Sequence, residues 1–118
     1  MKFLTMVTTT NPDKAGAPPP SLFQAIGELG MEAAKKGVMV ENGGMAYAGT
    51  VSVKSDRLVV DGPFTEAKEL LGGYAIYDVP TEAEAVEWCE RFMQLHKQHW
   101  PGWEGEVVIR ELTPQPMG

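Results

Sequence analysis

One segment constrains the fold of this chain more than any other: the residues Asp-Gly-Pro-Phe at positions 61–64 and the run that continues from them to Tyr74. Glycine and proline together end a strand, because proline has no backbone N–H for a ladder and glycine readily adopts turn conformations. The polar stretch 65–69 predicts a short helical turn, and a new strand begins near Gly73. Few folds need a strand end, a helical turn and a new strand in this order.

Two longer helices are predicted on either side of this segment. Ser21 and Gln24 have the spacing of a capping box, and apolar residues then recur at helical intervals, which predicts a helix over about residues 21–36. Thr81 and Glu84 have the same spacing and open a second helix. One side of that helix carries Val86, Cys89, Phe92, Met93 and His96.

Two glycines, Gly27 and Gly30, lie inside the first predicted helix. Glycine in a helix interior costs about 1 kcal/mol relative to alanine, because its backbone loses more freedom on folding. A neighbouring element that approaches the backbone closely is the usual reason for a glycine at such a position. The sequence therefore predicts a close approach at this helix.

The remaining elements are predicted to be strands. Side chains that favour β-structure indicate strands over residues 2–9, 73–79 and 106–112. Residues 38–47 contain a further strand, predicted to be broken by Gly43-Gly44. The strand at 73–79 is apolar on both faces, which indicates that both faces are covered. Two helices can cover only one face of such a sheet, so a second cover is expected on the other.

Residues 49–61 predict a β-hairpin. If residues 55–56 form a two-residue turn, the paired positions are Val53 with Leu58 and Val51 with Val60. This register places four apolar side chains on one face of the hairpin. A four-residue tip is the alternative, because Ser-Asp is a weaker turn than Asn-Gly and two like charges would meet beside it.

With its Asp-Gly-Pro-Phe segment, the chain resembles the YCII-related proteins over most of its length, in the branch named after that motif. The resemblance implies a bacterial α+β protein: a ferredoxin-like domain with a mostly antiparallel sheet, two helices on one face and an inserted β-hairpin. It also implies a homodimer, in which two sheets form a dimeric α+β barrel. Residues 1–113 would then form one domain, and residues 114–118 a tail.

Charge and cysteine content restrict the classes of partner. The net charge is −6 at pH 7, which opposes binding to a phosphate backbone or an anionic membrane, so neither nucleic acid nor membrane is predicted as a partner. Cys89 is the only cysteine, which fits a reducing compartment. No stretch has the pattern of a signal peptide or a membrane span. The sequence predicts a cytoplasmic protein.

Asp61 is the candidate catalytic residue. It ends a hairpin strand on the polar face, beside the Gly-Pro corner, where a carboxylate can act as an acid or a base. The alternative is structural, because Asp before Gly-Pro often accepts hydrogen bonds from nearby backbone N–H groups. The resemblance implies a His and Asp pair with the His early in the first helix, but residues 18–26 contain no His. That pair has no counterpart in this chain.

A small-molecule pocket is predicted between the sheet and the helices. Its candidate lining residues are Glu41, Tyr47, Phe64, Tyr74 and Arg110. The tyrosine hydroxyls and one ion pair would orient a small polar ligand. The alternative for each is an ordinary packed or solvated strand residue.

The two histidines of the chain raise the question of a metal. His96 and His99 stand three residues apart near a helix end, with Cys89 two turns before His96. A metal site needs a third or fourth ligand, and nothing in the sequence fixes one. Favourable positive charge at a helix C-terminus is the simpler explanation, so neither a metal nor another cofactor is predicted.

Three functional hypotheses follow. The leading one is a homodimer that binds a small molecule in a pocket near Asp61. The second is a cofactor-independent enzyme of the isomerase or lyase type, in which Asp61 moves a proton. The third is a regulatory partner, because the resemblance extends to proteins linked to extracytoplasmic sigma factors.

Overall fold

The computed structural model describes residues 1–62 and 70–114. The elements, in chain order, are β1 (Lys2–Thr9), α1 (Pro12–Ala15), α2 (Pro20–Lys35), β2 (Met39–Ala46), β3 (Thr50–Lys54), β4 (Arg57–Asp61), β5 (Leu70–Asp78), α3 (Glu82–His99) and β6 (Gly105–Leu112). No helix in these two ranges is long and apolar enough to cross a membrane.

Four strands form one antiparallel sheet in the order β2-β5-β1-β6. The β3–β4 hairpin is an insertion, and α1 is a single turn in the loop after β1. Without these two additions the chain runs strand, helix, strand, strand, helix, strand. This connectivity and strand order are those of a ferredoxin-like fold, so the predicted α+β class is confirmed.

Strand alternation divides the side chains of the sheet between two faces. On one face, Phe3 of β1 and Tyr77 of β5 join a buried cluster with residues of α2 and α3, including Leu29, Ala33 and Trp88. The opposite face, which we call the open face, carries Leu4, Met6, Glu41, Tyr74, Ile76, Val108 and Arg110. Within the described residues, no helix packs on the open face.

The hairpin has the predicted register. Val51 pairs with Val60 and Val53 with Leu58. The turn residues Ser55 and Asp56 have φ of 48° and 65°, so both are in the left-handed region that a tight two-residue hairpin turn requires. The apolar side chains of these pairs are between 65% and 76% exposed, so they pack against no other described element.

The two long helices begin in different ways. The N-cap position of α3 is Thr81, whose Oγ1 accepts a hydrogen bond from the Glu84 backbone N–H at 3.2 Å, as predicted. The capping box predicted at Ser21 is wrong: α2 begins at Pro20, and its N-cap residue makes no side-chain cap bond. Proline fits the first helical position because its missing N–H has no helical partner there and its φ is already helical.

Candidate ligand-binding cavity

A cavity of about 800 Å³ lies between the sheet and the helices α2 and α3. Small residues create it. Gly44 of β2 pairs with Gly73 of β5, which in turn pairs with Val7 of β1. Two neighbouring positions on the helix-facing side of the sheet therefore have no side chain, and on the helix side Gly30 of α2 forms part of the wall.

The glycines of α2 have a different role from the one predicted. Among the described residues, a Cβ atom at Gly27 would meet nothing within 4 Å, and one at Gly30 would meet only Asn42 Nδ2, at 3.9 Å. The predicted close approach of a neighbouring element is therefore wrong. Gly27 is exposed, whereas Gly30 lines the cavity and leaves its volume open.

The described part of the cavity wall has no formal charge. None of its residues is Asp, Glu, Lys or Arg, and most of the surface is apolar. Its polar side chains are Thr5, Thr9, Asn42, Tyr77, Cys89 and His96. Moving an unpaired charge from water to such a site is costly, so this wall selects against charged ligands.

Aromatic side chains from the C-terminal half of α3 and the following loop form one end of the cavity. The His96 ring lies 4.6 Å from the Phe92 ring and 4.5 Å from the Trp103 ring, between centroids, and Trp100 stacks on Trp103 at 5.7 Å. Trp100 Nε1 donates to the Ala15 carbonyl at 2.9 Å. The indole of Trp103 donates to Thr9 Oγ1 at 2.8 Å. These bonds fix both indoles against the first loop and strand.

His96 is the buried polar residue of this aromatic end. Its side chain is 5% exposed, and its Nδ1 lies 3.0 Å from the Phe92 carbonyl one turn earlier in α3. A carbonyl only accepts, so Nδ1 carries the proton and Nε2 is left with a lone pair. Burial lowers the pKa of the imidazole below 6.5, and the bond to Phe92 opposes this less strongly.

Two other titratable groups of the wall are also held neutral. Burial raises the pKa of the Cys89 thiol to about 11 and that of the Tyr77 hydroxyl to about 12. Thr5, which is 5% exposed, donates its hydroxyl proton to the Ala75 carbonyl at 2.9 Å. The described wall is therefore uncharged, so hydrogen bonds and not ion pairs would orient a ligand in this cavity.

From the sequence, His96 was interpreted only as a possible metal ligand or as positive charge at a helix end. Its position in the cavity wall could have been inferred, because it lies on the same side of α3 as Cys89 and Phe92, as a polar ring on an apolar face. The two tryptophans after the helix were a further sign. Nothing in the sequence showed that the sheet opposite this stripe is lined by paired glycines.

Of the predicted pocket residues, the structure brings two together. The Tyr74 hydroxyl donates to Glu41 Oε2 at 2.5 Å, and this bond raises the pKa of the phenol. Both side chains lie on the open face, because Tyr74 pairs with Met6 and Glu41 with Ile76. Tyr74 is also among the residues that line the cavity. Arg110 is exposed on the same open face.

The other predicted site residues lie away from the cavity or outside the described ranges. Tyr47, just after β2, is 40% exposed. Asp61 is exposed at the end of β4, does not line the cavity, and its carboxylate has no hydrogen-bond partner among the described residues. Phe64 lies outside the described residues. A role for Asp61 in chemistry or in the turn stays a prediction.

The two histidines do not converge. His96 Nδ1 contacts the Phe92 carbonyl, whereas His99 Nδ1 contacts Ser21 Oγ at 3.2 Å, at the start of α2. Within residues 1–62 and 70–114, no three His, Cys, Asp or Glu side chains are grouped closely enough to hold a metal ion. His96 thus bonds within α3, whereas His99 joins α3 to α2.

The family model of the YCII-related domain matches residues 1–97. The chain belongs to the YCII-related family. The match extends from β1 almost to the end of α3, so it includes both helices and three of the four strands of the main sheet. It also includes every element that contributes to the cavity except the loop after α3 and β6.

Two solved structures share low sequence identity with this YCII-related chain. One is a 5-chloro-2-hydroxyhydroquinone dehydrochlorinase from Burkholderia phenoliruptrix in complex with 2,5-dihydroxybenzoquinone, at 16% identity and a TM-score of 0.46, covering 96% of this chain and 94% of that one. The other is an antibiotic biosynthesis monooxygenase, at 15% identity and a TM-score of 0.43, covering 97% and 100%. Among curated proteins, none matches the chain.

Proposed function

We propose that this YCII-related protein binds a small, uncharged and largely apolar molecule in the cavity between its helices and its sheet. The observation that carries the proposal is a cavity of about 800 Å³ whose described wall has no charged side chain. Small-molecule sites are concave and mostly apolar, and a volume of this size is in their range.

Glycine at position 30 supports this proposal, because a side chain there would take up cavity volume. Alanine there would meet only the Asn42 amide, and it would favour the helix by about 1 kcal/mol. Stability alone does not explain this glycine, whereas the need for ligand space does.

We also propose that the protein forms a homodimer through the open face. The centre of that face is apolar, with Leu4, Met6 and Ile76 side by side on β1 and β5. The hairpin adds Val53 and Leu58, which are 70% and 76% exposed. An apolar surface of this kind is normally covered in a small protein, and a stable interface over it would bury at least about 1,200 Å² in total.

The open face is also complementary to itself. Arg110, Leu4, Ile76 and Glu41 form one row across the four strands, from β6 to β2. A two-fold axis parallel to the strands, between β1 and β5, would place the Arg110 of one copy opposite the Glu41 of the other and Leu4 opposite Ile76. Opposite charges would then meet at both edges of an apolar centre, which favours a second copy as the partner.

The test of ligand binding is a thermal-shift screen of uncharged aromatic compounds against three proteins. Gly30→Phe fills the cavity, and Gly27→Phe makes the same substitution one turn earlier on the exposed side of α2. A ligand that binds the folded state raises the melting temperature. We expect compounds that stabilise the wild type and Gly27→Phe but not Gly30→Phe. Equal stabilisation of all three proteins, or of none, would refute the proposal.

A further inference from the structure

We infer that the ligand is a flat aromatic molecule with an uncharged hydroxyl group, and that this hydroxyl donates a hydrogen bond to Nε2 of His96. This inference rests on the proposed function, since it specifies what the cavity between helices and sheet accepts. It assigns to His96 the role of a specificity-determining residue. Its ring is 5% exposed, and its Nε2 is an acceptor that no described residue uses.

The protonation of His96 follows from its neighbours. Nδ1 donates to the Phe92 carbonyl at 3.0 Å, so in the neutral ring Nε2 is an acceptor. Among the described residues, no buried side-chain nitrogen or oxygen lacks a hydrogen-bond partner. Nε2 has no hydrogen-bond partner among the described residues, so it is not one of the fully buried atoms. It is therefore exposed to the cavity that the ring lines. An acceptor is thus presented to any molecule inside.

The surroundings keep that acceptor available. A protonated ring would make Nε2 a donor, but burial lowers the pKa of His96, and no carboxylate lines the described wall to stabilise the cation. The titratable groups that share the cavity are Cys89 on α3 and Tyr77 on β5. Their pKa values, raised to about 11 and about 12, leave both uncharged at neutral pH.

Three side-chain donors around the cavity are already used. Trp100 donates to the Ala15 carbonyl, Trp103 to Thr9 Oγ1, and Thr5 to the Ala75 carbonyl. Asn42 and Tyr77 also line the wall and have donors of their own, but at His96 the free atom is an acceptor, which pairs with a donor from the ligand. A neutral hydroxyl suits it, because an ionised one would lose the proton that is donated and would add charge to an uncharged wall.

The shape of the cavity favours a flat ligand. Phe92 and Trp103 lie against the ring of His96, with centroids 4.6 Å and 4.5 Å away, so a ligand reaches the imidazole at its edge and in its plane. The paired glycines Gly44 and Gly73 also line the cavity, and neither has a side chain. A flat aromatic ring would fit against these two neighbouring positions.

The experiment compares 2-naphthol with naphthalene, which have the same ring system and differ by one hydroxyl. Both are titrated at neutral pH into the wild type, His96→Phe and His99→Phe. We expect the wild type and His99→Phe to bind 2-naphthol up to roughly tenfold more tightly, as one net hydrogen bond allows. In His96→Phe the preference should vanish while naphthalene still binds.

A spectroscopic readout on the wild type makes the test independent of any variant. The ¹⁵N resonance of His96 Nε2 should move in the direction of hydrogen-bond acceptance with 2-naphthol and should not do so with naphthalene. Equal affinities in the wild type, or an unchanged Nε2 resonance with 2-naphthol bound, would overturn this inference and leave the cavity proposal standing. Binding of neither compound, with no stabilising compound in the thermal-shift screen, would overturn both.

Discussion

Burial keeps three titratable side chains of the cavity wall uncharged. The thiol of Cys89, the phenol of Tyr77 and the imidazole of His96 are all shifted toward their uncharged forms, in each case mainly by loss of water. Desolvation disfavours the charged form of any group, so it raises the pKa of acids and lowers that of bases. The consequence is a site that distinguishes ligands by shape and hydrogen bonding.

Cys89 should be a slow nucleophile. Its pKa is raised from 9.0 to about 11, and a difference of about 2 units reduces the thiolate fraction about a hundredfold at any pH well below both values. We expect alkylation by iodoacetamide, followed by mass spectrometry, to be slower than that of a free cysteine by at least this factor. A cavity ligand should slow it further. Modification at the rate of a free thiol would show that Cys89 is not buried.

His96 should make the protein less stable in mild acid. Because its pKa is lower in the folded protein than the ordinary 6.5, the unfolded chain takes up the proton first, and protonation favours unfolding. The stability that the neutral His96 ring contributes is complete above pH 6.5 and is lost as the pH falls below that value. Urea unfolding at several pH values should show this loss in the wild type and in His99→Gln, and a smaller one in His96→Phe. The same slope in all three proteins would exclude His96 as its source.

At the scale of secondary-structure elements, β2 shows why the sequence predicted the fold better than the site. The register of β2 against β5 shifts between Met39 and Glu41, which leaves Val40 as an extra residue. Met39 packs against the core, and without this bulge Glu41 would point to the same side, where a pocket residue was predicted. The bulge turns Glu41 to the open face instead. No residue pattern in this segment marks a bulge in advance.

Other elements were predictable because their determinants are local. The hairpin register depends on a two-residue turn and on apolar alternation, both of which can be read from residues 51–60. The start of α3 depends on one threonine three residues before a free N–H. The cavity, in contrast, depends on which glycines meet across neighbouring strands. That pairing is set by the packing of the whole sheet, so the sequence did not indicate it.

Removing the cap of α3 should destabilise the fold. Thr81→Ala removes the acceptor for the Glu84 N–H, and loss of such a cap typically costs about 1 kcal/mol. Ser21→Ala is the matched control, because Ser21 lies inside α2 and its hydroxyl contacts the His99 ring and caps no helix N–H. Chemical denaturation should therefore show a clear loss of unfolding free energy for Thr81→Ala and a smaller change for Ser21→Ala. Equal losses would contradict the assignment of the two helix starts.

For the whole molecule, the two faces of the four-stranded sheet have different roles: one lines the cavity, and the other is the proposed dimer interface. The helix-facing side bears the paired glycines and the cavity, whereas the open face bears an apolar centre with Arg110 at one edge and Glu41 at the other. Tyr74 shows how closely the two faces are joined, since it lines the cavity and its phenol binds Glu41 on the open face. Dimer formation and ligand binding would thus share strand β5.

The dimer can be tested by reversing charges at the two edges of the open face. Sedimentation at micromolar concentration should give a wild-type mass near twice 12.9 kDa. Arg110→Glu should weaken association, because an exposed pair contributes up to about 1 kcal/mol and a two-fold axis repeats it. The double variant Glu41→Arg with Arg110→Glu should restore association. A wild-type monomer would refute the dimer, and a double variant no better than Arg110→Glu would refute this arrangement.

The location of the ligand is tested most directly by the indole N–H signals of the three tryptophans. Trp100 and Trp103 line the cavity, whereas Trp88 does not and packs beside Tyr77 and Arg91. We predict that adding an uncharged aromatic compound that stabilises the protein shifts the ¹H–¹⁵N indole signals of Trp100 and Trp103 and leaves that of Trp88 in place. A bound compound that moves Trp88 alone, or none of the three, would contradict the assignment of the cavity as the binding site.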